Sequence, residues 1–600
     1  MPLTIAGIEV IQRRLQASSP TDASSEGPEC TTEILAADHC RFPGARPLSV
    51  DIVFDQNTKI PLRDGVNLRA DIFRPNNDDK VPALIAWGPY GKTGTSILSL
   101  NKMPGRAGVP LSAVSGYESF EGPDPAEWIP RGYAIVNIDA RGVGYSQGDV
   151  RVHGSAEGQD GYDAIEHIAS LPWCNGSIGM VGHSWLAMAQ YHIAAQQPPH
   201  LKCIAPLEGI SDIFNEAFCR GGISSANFFN LIVSMLKGSG SIEDAAAMMK
   251  AYPTSNAYWK DKRADFGKIQ VPAYILASYT SGLHTAGSFR CYEEMKAPRW
   301  LTIHDSQALY DLYNTQRVQE VSRFFDRYLK NAVNDWEQTP QIRASLLGYN
   351  QPNISNLVLK NWPPSQARHQ ELFLSPGGLA DATPTNEHDQ TYQSDFRARQ
   401  DATDSQELHF SHTFDKRSYL VGYSTVTLHV SCLDSDDLDV YVQLGKADAQ
   451  GNPLQSQNIP LAALNKQGLP TDKIPAINIL RYVGPTGQLR ASTRPTSDDP
   501  GASTKAAKIP PGEIVKLTIP FLAAGMLFEQ NERLVLKVSG HPMSFAESPL
   551  MWGAYQPANK GLHHVHFGGK YASSLRIPLL DEGQIAEHRD SSSEKISCTL

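Results

Sequence analysis

Between Ser177 and Gln190 the chain reads S-I-G-M-V-G-H-S-W-L-A-M-A-Q, and Ser184 stands where a hydroxyl could become a nucleophile. Ile178 to Val181 is a short apolar run of the kind that forms a buried parallel strand. Trp185 to Gln196 is rich in Leu, Met, Ala and Ile until Pro198-Pro199 stops it. Strand, sharp turn at Gly182-His183-Ser184 and helix together make a nucleophile elbow. Such a turn holds the hydroxyl out of the sheet at a helix N-terminus, where backbone N–H groups and the helix dipole favour a developing oxyanion. The alternative reading is that Ser184 only caps the helix, a position serine favours. The glycine expected two residues after the serine is Leu186, which departs from the pattern.

A chemistry of this kind needs a sheet to carry it. Val50 to Phe54 and Val66 to Phe73 alternate as half-buried strands do. Ala83 to Trp87 and Ala134 to Ile138 are continuous apolar runs, followed by Gly88-Pro89-Tyr90-Gly91-Lys92 and by Asp139 to Ser146. A helix is expected between Glu157 and Leu171, and further strands near Cys203 to Pro206, Val271 to Ala277 and Trp300 to Ile303. Strands alternating with helices predict an α/β domain with a largely parallel sheet over about residues 49–345. Val318, Val321, Phe324, Phe325, Tyr328 and Leu329 follow the spacing of a core-facing helix that closes it. Residues 211–266 carry clustered Phe and Met with little alternation, which predicts a helical insertion lying over the sheet.

Beyond this domain the pattern changes to period two. Val426, Leu428 and Val430 alternate with polar residues, as do Val440, Val442 and Leu444, then Val515, Leu517 and Ile519, then Leu534, Leu536 and Val538. Residues 346–600 are therefore expected to be an all-β sandwich of jelly-roll type. Residues 1–48, polar and Ser/Pro-rich around Ser18 to Glu29, read as a loosely packed N-terminal extension, and the last dozen residues as frayed.

Six hundred residues exceed one core and call for two or three domains. A 41% hydrophobic and 19% charged composition is that of an ordinary globular chain, and a net charge of −10 gives no basic footprint for nucleic acid. No apolar run approaches the roughly eighteen residues that span a bilayer. Arg13 and Arg14 follow the short N-terminal apolar stretch, the reverse of a secretory signal. The eight cysteines are scattered without a C-x-x-C pair, which points to buried thiols in a reducing compartment and so to the cytoplasm. Neither a metal constellation nor a phosphate-binding loop is present, so no cofactor is expected.

G-P-Y-G-K at 88–92, D-A-R-G-V-G-Y-S-Q-G at 139–148, E-G-Q-D-G-Y-D-A-I-E from Glu157 and L-P-W-C-N-G-S-I-G-M-V-G-H-S-W-L at 171–186 resemble the cocaine esterase/NonD group of serine hydrolases, relatives of the X-prolyl dipeptidyl peptidases. The resemblance covers about residues 49–600. It implies an α/β-hydrolase domain with a helical cap and a C-terminal jelly roll, and it removes the objection from Leu186, because that group's elbow is G-x-S-Tyr/Trp. By the same resemblance Ser184 is the nucleophile, and the oxyanion donors are the phenol of Tyr90 and the backbone N–H of Trp185.

The other triad members are where this chain departs from the group. The group's aspartate belongs after Val271 to Ala277, but that loop reads Ser278-Tyr279-Thr280-Ser281-Gly282-Leu283-His284, without a carboxylate. His304, after the next strand, is the expected base, with His284 as runner-up and His183 as a structural residue. The acid is left unassigned, between Asp305, Asp311 and a Ser or Thr hydroxyl that orients the ring. Loss of such an acid lowers turnover of a serine protease about ten-thousand-fold.

These residues predict a serine-dependent acyl-transfer enzyme of the esterase/peptidase class, acting on an ester, thioester or amide of a small molecule. Two alternatives are a non-hydrolytic acyltransferase or cyclase using the same pocket, and a retired hydrolase acting as a binding protein. The expected partner is a small-molecule acyl substrate, with no nucleic acid and no membrane, and a homodimer is left open.

Overall fold

The computed structural model describes residues 3–16, 28–94, 96–494 and 507–585. Eleven strands form the first sheet: β1 (Thr31–Leu35), β2 (Ile52–Pro61), β3 (Asn67–Pro75), β4 (Val81–Gly88), β5 (Ala134–Asp139), β6 (Cys174–His183), β7 (Leu201–Leu207), β8 (Ala273–Ser278), β9 (Arg299–His304), β10 (Ile342–Leu346) and β11 (Ile354–Val358). Their spatial order is β11-β10-β9-β8-β7-β6-β4-β5-β3-β2-β1. The central strands from β5 to β10 run parallel, and both margins are antiparallel.

Two helix layers explain why the central strands read as unbroken apolar runs. Helices α1 (Gly154–Ala169) and α2 (Trp185–Ala194) cover one face, where Met180 shares a core with Ile165, Ile168 and Ile193. On the other face α3 (Thr315–Leu329) presents Phe324, Phe325 and Leu329 to a core containing Val181 and Ala205. Gly179 lets α3 approach, since a Cβ there would stand 2.9 Å from Leu329 Cδ1.

The insertion after β7 contains the helices Asn227–Met235, Ala245–Ala251 and Ala257–Asp261. It also holds the strand Ser241–Glu243, which pairs antiparallel with Gln12–Arg14. The N-terminal segment is therefore not a loose extension where it is described. One part is stitched to the cap, and another, β1, is the edge strand of the main sheet, with Leu35 and Leu48 buried. Its polar composition fits an edge strand whose outer side faces water. The polar stretch 17–27 and the tail from 586 lie outside the described residues.

The first sheet also extends past 345, because β11 folds back antiparallel onto β10. The strand-rich C-terminal domain then packs a nine-stranded sheet against a five-stranded one. Val426, Leu428 and Val430 from the first meet Val440, Val442, Leu444, Leu536 and Val538 from the second. Val515–Pro520 alternates buried and exposed, as period two requires. Asp439–Ala447 is instead buried along both faces, because its second face looks toward the hydrolase domain. The two domains are pinned by Leu347, whose backbone bonds Gly525 and Leu527, and by the buried ammonium of Lys446, which bonds the Gly348 and Leu527 carbonyls and lies 2.7 Å from Glu532.

Candidate active site

Ser184 sits between β6 and α2 with φ +56° and ψ −118°, a conformation that costs a non-glycine residue free energy and persists because its surroundings impose it. Its N–H donates to the Glu208 carbonyl at 2.9 Å, and the His183 N–H donates to the Glu121 carbonyl at 3.1 Å. Leu186 fills the space that small residues leave around it: a Cβ on Gly182 would lie 2.5 Å from its Cβ, and one on Gly88 2.7 Å from its Cδ1. The leucine at the place of the expected glycine is thus matched by glycines on two strands.

The Ser184 hydroxyl lies 3.1 Å from Nε2 of His284, the sequence reading's second choice. Nδ1 of the same ring is 3.0 Å from the Ser281 hydroxyl and 3.9 Å from Oε2 of Glu208. Glu208 follows β7 directly, is buried, and has φ +58°. Its other oxygen, Oε1, is 2.6 Å from Nε2 of His304. His304 therefore does not contact the serine. It sits one carboxylate behind His284, with Nδ1 3.1 Å from the Ser306 hydroxyl and 3.5 Å from Asp311 Oδ2. The physical reason is register: His304 ends β9, one strand further from β6 than the loop after β8 that carries His284.

Of the acids considered from sequence, neither reaches His284. Asp305 accepts from Asn353 and Ser355. Asp311 is bound by the Arg317 guanidinium at 2.6 Å. The hydroxyl alternative has a counterpart in Ser281. Glu208 was missed, although a carboxylate at the C-terminal end of the strand beside the elbow was a signal available in the sequence.

The electrostatics separate the two groups. Burial, then the neighbouring His183, depresses His284 to about 3 against the pull of Glu208, so the ring is neutral at neutral pH. Burial would raise Glu208, but the hydrogen bond and charge of His304, with His183 and His284, hold it at about 2, so it is anionic. His183 meets His284 edge to face at 5.1 Å and places Nδ1 3.2 Å from Glu121. Ligand atoms of His183, Glu208 and His284 come within 4.8 Å of one another, a donor set of metal-binding type. Each is already engaged inside the site: His183 with Glu121, Glu208 with His304, and His284 with Ser184.

Tyr90 is buried and lines the same cavity as Ser184; burial and the nearby Glu121 raise its pKa well above 10, so the phenol keeps its proton. Trp185 is the first residue of α2, where the helix supplies no acceptor for the backbone N–H. Its indole donates to Glu157 Oε1 at 3.2 Å, and the same carboxylate accepts from Trp87 and lies 2.9 Å from His153 Nδ1. Glu157, quoted above only as part of a motif, thus fixes the residue after the nucleophile. The Asp139–Gly148 segment is scaffolding of the same kind: Arg141 grips Asp160 through two bonds of 2.7 and 2.6 Å.

Ser184 opens into a cavity of about 260 Å³ walled by the cap, the β8 loop and the C-terminal domain. Met188, Phe218, Phe229 and Leu283 supply apolar surface there. Among the described residues, no helix is long and apolar enough to cross a membrane.

An α/β-hydrolase sheet with a strained serine elbow, an imidazole on the hydroxyl and a capped cavity is thus defined. Residues 64–249 match the family model of the X-Pro dipeptidyl-peptidase (S15 family), and residues 334–576 match that of the X-Pro dipeptidyl-peptidase C-terminal non-catalytic domain. A CocE/NonD family hydrolase from Staphylococcus aureus superposes with a TM-score of 0.79 at 28% identity, over 94% of this chain and 100% of that one. An α-amino acid ester hydrolase shares the fold, with a TM-score of 0.66 at 16% identity over 94% of this chain and 100% of that one. Cocaine esterase of Rhodococcus sp. (strain MB1 Bresler) is 23% identical over 388 residues, 54% of this chain. The match spans 63% of that esterase, less than two thirds of its length. The chain belongs to the CocE/NonD, X-Pro dipeptidyl-peptidase-like family.

Proposed function

We propose that the protein hydrolyses an ester, thioester or amide of a small molecule through an acyl-enzyme on Ser184. The observation that carries this is the 3.1 Å contact between the Ser184 hydroxyl and His284 Nε2 at a strained elbow. With the ring proton on Nδ1, Nε2 accepts the serine proton as the oxygen attacks the acyl carbon. The imidazolium so formed faces the Ser281 hydroxyl and the Glu208 carboxylate, which supplies the negative charge that stabilises it. In this reading the Tyr90 O–H and the Trp185 N–H donate to the oxyanion. The leaving group takes the proton from Nε2, and water repeats the sequence to release the acid.

His304 then acts as a positioning residue, holding Glu208 from behind. Glu208 supplies a carboxylate beside His284, which favours hydrolysis over the non-hydrolytic alternative. A binding protein would have no use for the His284 contact. The unpaired state of the seven described cysteines supports work in a reducing, cytoplasmic setting.

The test is labelling by a fluorophosphonate probe, which reports a serine already activated by its base. Stoichiometric modification at Ser184, lost in Ser184→Ala and His284→Ala and only slowed in His304→Ala, is expected. Absence of labelling on folded native protein, or survival of labelling in His284→Ala, would refute the assignment. Product acid carrying solvent oxygen from labelled water separates hydrolysis from transfer.

A further inference from the structure

Arg220 stands on the wall of the Ser184 cavity, and its guanidinium is held only by neutral oxygens. Nη1 lies 3.2 Å from the Thr486 hydroxyl, and Nη2 lies 2.5 Å from the Thr486 carbonyl. Its backbone carbonyl accepts from Gln488 Nε2 at 2.9 Å. Gly221 follows at φ +59°, packed so closely that a Cβ would collide with the Gln488 carbonyl. The side chain is therefore seated on the C-terminal domain and reaches into the cavity from a fixed backbone.

Other arginines nearby are neutralised. Arg290 is 3.3 Å from Glu216, and Arg490 grips Asp439 at 2.7 Å. Among the described residues, no carboxylate forms an ion pair with Arg220, and burial lowers its pKa to about 10. It remains a cation at neutral pH. Of the acids on the same wall, Glu216 is bound by Ser211 and Arg290, and Glu547 meets the neutral Asn478 amide at 3.1 and 3.2 Å, with burial raising its pKa to about 7. Arg220 is half-buried, and a partly desolvated charge held only by neutral groups is stabilised by an arriving counter-charge. A guanidinium has five N–H donors, so those not aimed at Thr486 are free for a planar anion, the geometry that carboxylates match.

We propose that Arg220 receives a carboxylate on the substrate, so that the preferred substrate is an ester or amide bearing a free carboxylate group. This rests on the assignment of Ser184 as nucleophile, and it narrows the substrate class.

The test compares two fluorophosphonates of equal length, one ending in a carboxylate and one in a primary amide, by their second-order rates of Ser184 labelling. The native protein should favour the carboxylate probe by about tenfold or more, the ratio a charge-assisted hydrogen bond supplies. In Arg220→Gln that ratio should fall to about one, and Arg220→Lys should restore part of it. A ratio near one in the native protein, or one unchanged in Arg220→Gln with a native thermal midpoint, overturns the proposal. If neither probe labels, the nucleophile assignment fails by itself. Arg220 is then judged by calorimetry of glutarate against glutaramide on Ser184→Ala. Binding of glutarate alone, lost when Arg220→Gln is added, sustains the anion site, and equal or absent binding of the two refutes it.

Discussion

Glu208→Gln removes one charge from the site while keeping the shape of the side chain, and its cost can be worked from the geometry. Glu208 Oε2 lies 3.9 Å from His284 Nδ1. For two unit charges at that separation and an effective dielectric constant of about 20, the attraction is about 4 kcal/mol. That energy is present only when His284 carries the proton taken from Ser184, so it is spent on the transition state, and about 1.4 kcal/mol corresponds to tenfold in rate. Glu208→Gln should therefore lower kcat/KM about a thousandfold, with KM little changed. Ser281→Ala removes the hydroxyl that contacts His284 Nδ1 and accepts from the His284 backbone N–H; only the first is on the ring that takes the proton, so at about 1 kcal/mol the loss should be roughly tenfold or less. The assay is initial-rate hydrolysis of 4-nitrophenyl acetate, with fluorophosphonate labelling as a second readout and thermal unfolding to confirm the fold. A Glu208→Gln loss below about tenfold, or a Ser281→Ala loss exceeding it, would refute the view that the carboxylate rather than the serine stabilises the imidazolium.

Tyr90→Phe should lower kcat about 10²–10³-fold with intact folding, the cost of one oxyanion donor, and an unchanged kcat would remove Tyr90 from that role. Because burial and His183 depress His284 to about 3, the base form persists well below its ordinary 6.5, and the labelling rate of Ser184 should stay level from pH 8 down to about 5. A half-maximum near pH 6.5 would contradict the buried, neutral ring. The same depression acts on stability with a definite sign: the unfolded chain takes up the proton first, so the contribution is full above about 6.5 and is lost as pH falls toward 3. Gly88→Ala would put a Cβ 2.7 Å from Leu186 Cδ1, so the thermal midpoint should drop by the equivalent of about 1–3 kcal/mol, and Leu186→Ala should recover part of it in the double variant.

The elbow was legible in the chain itself because its signals are local. An apolar run, Gly-His-Ser and a helix-forming stretch fix β6, the turn and α2 within a few residues of one another, and Tyr90 follows β4 by the same logic. Period-two alternation likewise announced the C-terminal domain. The base and the acid were a different matter. His284 and His304 each follow a strand of one parallel sheet, and nothing in the spacing says which imidazole faces Ser184. That was decided by strand order and by the loop after β8, where Thr285 Oγ1 bonds the Ser278 carbonyl and Gly282 turns at φ +64° to bring His284 forward. Glu208 stands at the end of the strand that follows the elbow, a hint in the sequence, but only the placing of β7 between β6 and β8 brings its carboxylate to the histidines. The edge strand β1 was hidden for a similar reason, since its polarity is that of a solvent-facing margin and only pairing with β2 gives it a place. Local sequence determined the strand, the sharp turn at Ser184 and the helix that follows it. Only the tertiary structure, by setting which side chains from distant strands meet at one edge of the sheet, decided which histidine and which carboxylate stand beside that serine.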